Sequence, residues 1–330
     1  MLTAEEMISF PLLDPELQDF IRYFPQFELN GDTLVFARAM QNALANAQIN
    51  DPNALPDFVT REERHIAAPF STLPVRTVII RRQHKDGPPK PAFLHLHGGG
   101  FIMGSPEFAQ SRDATMIAGH DCVIVAPAYR LAPETKFPGP VEDCYAALKW
   151  LHSHAEELGV DRNRIVIGGE SAGAGLAACL AIMARDRGEI PVHGMILTAP
   201  MLDDRTGTIL AANRFAGEFL WTADKNRFAW QSVLPGEPGA RDTSPYAAAA
   251  RAEDLAGLPP TRIFVGSLDL FIDENIAFAQ RLIAAGVPTG LNIYPGAFHG
   301  FELASEAQIT KTFIGDYQTA FGRMVTKRKP

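Results

Sequence analysis

The chain has 330 residues, of which 46% are hydrophobic and 21% charged, enough for one large α/β domain with an accessory part. Its net charge of −8 leaves no basic excess to neutralise phosphates, so nucleic acid is not an expected partner. Three cysteines (Cys122, Cys144 and Cys179) are too few and odd in number for a disulfide framework, and no apolar run is long enough for membrane insertion. The segment from Met1 to Glu6 has neither a basic start nor a long apolar core, so no signal peptide is expected. The expected setting is soluble, reducing and cytoplasmic. The basic run from Lys327 to Lys329 reads as a solvated tail.

Residues 1–55 differ in pattern from the rest of the chain. Asp14-Pro15 reads as a helix start, and Leu17, Phe20, Ile21 and Phe24 then recur at helical spacing. A second helix is predicted from Asp32 to Ala47. Two helices with no strand between them cannot belong to a βαβ layer, so they must dock on something already formed, either as core or as a lid. Strands are predicted at Glu62 to Ile66 and Val75 to Arg81, joined through Pro69 and Pro74, with a loop from Arg81 to Pro89. Another runs from Ala92 to His97 and ends in Gly98-Gly99-Gly100, a stretch that can turn with its N–H groups exposed. His95 and His97 share a strand face, but no third ligand lies nearby, so a metal pair is disfavoured and His97 reads as bracing the glycine loop.

Farther along, strands are predicted at Cys122 to Ala126, Arg164 to Ile167, Met195 to Thr198, Arg262 to Val265 and Leu291 to Tyr294. Helices are expected at Pro140 to Glu157, from Leu176 through Met183, Ala223 to Leu234, Asp273 to Ala285, and finally to about Lys327. No clear β pattern appears in 200–221. Strands alternating with helices after a hairpin start require a mostly parallel sheet with helices on both faces. In such sheets, sites gather at the carboxyl ends of the strands, and Gly98–Gly100, Ser171, Asp269 and His299 all fall there.

Ser171 lies in Gly169-Glu170-Ser171-Ala172-Gly173, between a β-branched run and a helical pattern, which is the signature of a nucleophile elbow. A serine hydroxyl is a weak nucleophile at neutral pH and needs a base, itself oriented by an acid. The order Ser171, Asp269, His299 is the one α/β-hydrolases use, and His299 is the only histidine downstream of both other candidates. Asp273 is the rival acid, but its place in the first turn of a helix suits a structural role. The chemistry expected is acyl transfer, with the oxyanion held by the N–H groups of Gly98, Gly99 and Ala172, and it requires no metal or organic cofactor.

The motifs His97-Gly-Gly-Gly-Phe101, Tyr129-Arg-Leu-Ala-Pro-Glu134, Gly169 to Gly173, Asp269-Leu-Phe-Ile-Asp273-Glu274 and His299-Gly-Phe301 together resemble the hormone-sensitive lipase-like family of α/β-hydrolase esterases. The resemblance spans residues 60–325. It implies an eight-stranded, mostly parallel sheet, a helical cap in 1–55 completed by part of 200–221, and a catalytic domain in 56–330. It places the catalytic acid at Asp269 and the oxyanion donors at Gly98, Gly99 and Ala172. It further implies cleavage of short-chain acyl esters, a small-molecule ester as partner, and a homodimer. Amide, carbamate or lactone hydrolysis uses the same constellation, and a non-catalytic ligand-binding relative is the alternative, although such binders generally lose the histidine. Two departures stand out: Glu170 replaces the common Asp before the serine, and Ala174 replaces a glycine. Phe271 stands where Leu is usual and is expected to narrow the site. Phe10, Phe20, Phe24, Phe101, Leu202 and Phe215 are candidate pocket walls.

Overall fold

The computed structural model describes residues 3–24, 27–51, 54–68, 71–83 and 87–326. Pro69, residues His84 to Asp86 of the predicted loop and the predicted tail Lys327 to Lys329 lie outside the described residues. Helix α1 (Pro15–Tyr23) begins where its sequence requires: the Asp14 carboxylate accepts the Glu16 N–H at 3.0 Å, and Pro15 has no N–H to satisfy. Helix α2 (Gly31–Asn50) is capped by Asn30, which accepts the N–H groups of Asp32 and Thr33.

Three strands follow, and from β3 on strands alternate with helices: β1 (Val59–Ile66), β2 (Val75–Arg82), β3 (Lys90–Leu96), α3 (Gln110–His120), β4 (Val123–Pro127), α4 (Gly139–Ser153), α5 (Ala155–Leu158), β5 (Val160–Glu170), α6 (Ala172–Arg187), β6 (Gly194–Thr198), α7 (Ala223–Val233), β7 (Thr261–Gly266), α8 (Ile272–Ala284), β8 (Thr289–Tyr294) and α9 (Gln308–Val325). The single helix predicted over 140–157 is interrupted at His154, giving α4 and α5.

The sheet has eight strands in the order β1-β2-β4-β3-β5-β6-β7-β8. β1–β2 and β2–β4 pair antiparallel, and every other pair is parallel. Alternate residues of the central strands feed two cores, as a strand's period of two demands. Leu94, Val125, Ile165, Ile167 and Leu197 face the side covered by α4, α6 and α8. Phe93, Ile124, Val166, Ile196 and Phe264 face α3 and α9. Helix α1 joins this second core through Leu17 and Ile21, whereas Leu34 of α2 packs with the first. Among the described residues no helix is long and apolar enough to cross a membrane.

Candidate active site

The register of the sheet assembles the site. Leu96, the last residue of β3, pairs with Gly169 of β5, and Glu170 pairs with Thr198 at the end of β6. The loops after β3, β5 and β6 therefore leave the sheet side by side. Ser171 takes φ +54° and ψ −121° between β5 and α6, a strained conformation for a residue with a Cβ. Its N–H is held by the Thr198 carbonyl at 2.8 Å, and its carbonyl accepts the Met201 N–H at 3.1 Å. A Cβ at Gly169 would lie 1.9 Å from the Leu96 carbonyl oxygen, and one at Gly173 would lie 2.0 Å from it. Only glycines let the helix start this close to β3.

Asp269 lies three residues beyond β7 and His299 five beyond β8, and these two strands are neighbours. The Ser171 hydroxyl donates to His299 Nε2 at 2.9 Å, and His299 Nδ1–H donates to Asp269 Oδ2 at 2.8 Å. The other Asp269 oxygen accepts the Phe271 N–H at 2.9 Å, which fixes the carboxylate. Burial works against charge on His299, but the Asp269 carboxylate outweighs it and raises the imidazole pKa above its ordinary 6.5. Phe271 presents an edge-on ring 5.1 Å from the His299 ring centre, so it packs against the imidazole. The rival Asp273 is exposed in the first turn of α8, with Asn213 as its partner at 3.4 Å.

The glycine loop is braced from beneath. His97 Nδ1–H donates to the Gly98 carbonyl at 2.8 Å, and its ring stacks on Tyr129, whose hydroxyl donates to the His97 carbonyl at 2.7 Å. Burial holds the His97 pKa down to about 4, so the brace stays neutral. A Cβ on Gly98 would lie 3.5 Å from the Ser171 Cβ, which places this backbone directly against that side chain. Gly99 sits at φ +117°, and the Ile102 and Met103 N–H groups donate to its carbonyl. That turn points the Gly98 and Gly99 amides away from the loop's own bonds; among the described residues neither N–H is used. Ala172 opens α6, where the first N–H groups have no helical partner.

A cavity of about 500 Å³ opens onto Ser171, His299 and Gly98–Gly100. Its apolar walls come from Met103, Phe108, Leu220, Trp221, Leu303 and Ile314. The wall residues expected from sequence are placed elsewhere. Phe101 turns inward and packs on Trp230 with ring centres 5.2 Å apart. Leu202 is buried in the core, its N–H held by the buried Glu274 carboxylate at 2.6 Å. Phe215 is exposed beside Arg214. Phe10, Phe20 and Phe24 all belong to the α3/α9 core; Phe20 and Phe24 pack together, and Phe20 stacks on Phe298, the residue before His299. These aromatics support the histidine loop from behind. The N-terminal segment also reaches that loop through the Asp14 N–H, which donates to the Gly296 carbonyl at 3.1 Å.

Helix α2 meets the cavity directly. Gln41 lines it and accepts the Gly104 N–H at 2.9 Å. Arg38 donates to the Ile102 carbonyl at 2.7 Å and the Ala132 carbonyl at 2.5 Å, and forms a two-pronged pair with Glu134 at 2.7 and 3.0 Å. A second feature is invisible in the sequence. Glu170, a mild departure by motif alone, accepts His95 Nε2–H at 2.8 Å and a bond from Arg112, while His95 Nδ1–H donates to Asp113 at 2.7 Å. Burial alone would lower the His95 pKa, but the two carboxylates push it up to about 10. The alternation of β3 places His95 and His97 on one face, but nothing in local pattern reveals that Asp113 and Arg112, on α3, arrive at the same point.

Comparison with known proteins agrees with this geometry. A family model described as alpha/beta hydrolase fold matches residues 93–303. Carboxylesterase NlhH of Mycobacterium tuberculosis is 30% identical over 303 residues, covering 90% of this chain and 91% of that protein. Esterase LipI of the same organism is 35% identical over 212 residues, 64% of this chain and 65% of its own length. Among solved structures, one titled bacterial heroin esterase is similar with a TM-score of 0.86 and 38% identity, over 96% of this chain and 99% of that one. Sheet, elbow and relatives agree: the chain belongs to the α/β-hydrolase family, among its hormone-sensitive lipase-like esterases, and is a carboxylic ester hydrolase.

Proposed function

We propose that the enzyme hydrolyses short-chain acyl esters through a covalent acyl-enzyme on Ser171. The observation that carries this is the continuous line from Ser171 Oγ to His299 Nε2 at 2.9 Å and from His299 Nδ1 to Asp269 at 2.8 Å. His299 takes the serine proton as Ser171 attacks the ester carbonyl, and Asp269 steadies the imidazolium that forms. The N–H groups of Gly98, Gly99 and Ala172 hold the tetrahedral oxyanion, each donor typically worth about 3–4 kcal/mol of barrier. His299 then protonates the leaving alcohol and later activates the water that releases the acid.

Residues 1–55 act as a cap, with part of 200–221 joining them; the Ser9 N–H donates to Glu218 at 2.7 Å in support of that union. A cavity of about 500 Å³ suits acyl chains of about two to eight carbons. Three buried free thiols fit a cytoplasmic setting. A homodimer is implied by the family resemblance and is checked by sedimentation. The deciding experiment is an acyl-chain series of p-nitrophenyl esters with wild type and Ser171→Ala. We expect a maximum within the short chains and loss of turnover in the variant; activity rising steadily into long-chain emulsified lipids would contradict it.

A further inference from the structure

The charges around the cavity do not cancel. His95 and Arg112 supply two cations, Asp113 and Glu170 supply two carboxylates, and the four are hydrogen-bonded to one another. Arg112 also lies over the Tyr317 ring, 5.9 Å from its centre. Its charge is therefore committed. Asp269 is occupied by His299 and the Phe271 N–H. One group is left over. Glu302 lines the same cavity, and among the described residues its carboxylate has no cationic side chain paired with it, only its own backbone N–H. Burial raises its pKa; that backbone N–H and the more distant charges of Arg112 and His299 only partly oppose this.

The position of Glu302 decides which half of a substrate it meets. The acyl group stays on Ser171, while the alcohol leaves toward His299 Nε2, which must give it a proton. Glu302 is three residues past His299, in the 3₁₀ turn Phe301–Leu303, so the wall it forms is within a turn of the imidazole that must protonate the alcohol. We propose that Glu302 selects esters whose alcohol portion carries a cationic amine, by supplying the one unneutralised carboxylate on that wall. An ammonium group bound there gains a half-buried partner, while an anionic alcohol portion would meet a like charge.

The proposal rests on the esterase reading, and one comparison separates the two. Butyrylcholine and 3,3-dimethylbutyl butyrate share an acyl group and nearly the same shape, but only the first is charged. We expect wild type to favour the cationic ester by about tenfold in kcat/KM at low salt, a preference of the size one partly desolvated charge pair gives. That ratio should shrink at high salt, approach one in Glu302→Gln and fall below one in Glu302→Lys. A wild-type ratio at or below one overturns the proposal, as does a ratio that Glu302→Gln leaves unchanged. Should the variants fail to fold, the wild-type ratio and its salt dependence still decide. Hydrolysis of neither ester would count against the esterase reading itself.

Discussion

Helices α1 and α2 are neighbours in sequence and read there as one cap, yet different physics holds each. Helix α1 is docked by burial: Leu17 and Ile21 are fully enclosed in the core shared with α9, and Phe20 stacks against Phe298. Helix α2 buries only Leu34 and Ala45 along its twenty residues. Phe36 is 67% exposed and Met40 51% exposed. What fixes α2 is polar, namely Arg38 and Gln41 clamped onto Ile102 and Gly104 after the glycine loop, with Arg38 also bound to Ala132 and Glu134. One helix is part of the fold that positions His299; the other is tethered to the mouth of the cavity. Apolar docking makes α1 a stability element, whereas α2 depends on polar contacts at the cavity.

This contrast can be broken by substitution. Leu17→Ala should cost about 2–5 kcal/mol, as for other enclosed leucines, and lower Tm clearly. A negligible Tm change would show that α1 is not core. Arg38→Ala should act on catalysis instead, lowering kcat/KM about tenfold, mostly through KM, while shifting Tm by only about 3 °C. A large Tm loss with normal KM would reverse the assignment. Phe20→Ala should reduce kcat by about threefold without altering acyl-chain preference, because it supports Phe298 and does not face substrate. A changed preference would return Phe20 to the pocket wall.

The smallest effect concerns pH. The His95 pKa stands at about 10, against an ordinary 6.5, because Asp113 and Glu170 overcome the penalty of burial. A group raised on folding stabilises fully below its unfolded pKa and loses that contribution as pH climbs through the folded one. Stability should therefore decline between about pH 6.5 and 10, and His95→Gln should flatten the decline in a series of melting curves. An unchanged slope would assign the decline to other groups.

The meeting of the candidate residues was legible in the sequence because each follows a strand. Ser171, Asp269, His299 and the three glycines sit beyond β5, β7, β8 and β3, and a parallel sheet brings such ends to one edge. Asp14-Pro15 announced α1 through local capping alone. The pocket walls were not legible. Phe108, Trp221 and Leu303 come from loops and short turns whose approach is set by packing between distant segments. Phe101 looks like a wall by its place after the glycines, but its φ of +65° turns it inward onto Trp230. Glu170 stands out as unusual, but its partners His95 and Arg112 lie 75 and 58 residues away in the chain. Pairings of that range carry no local periodicity.

The central claim is that Ser171 is made nucleophilic by His299. It is tested most directly by intact-protein and peptide mass spectrometry after brief exposure to diethyl p-nitrophenyl phosphate. The account predicts one diethylphosphoryl adduct per chain, located on Ser171 in wild type and strongly slowed in His299→Ala. An adduct on another residue, or full ester turnover after Ser171 is blocked, would contradict it.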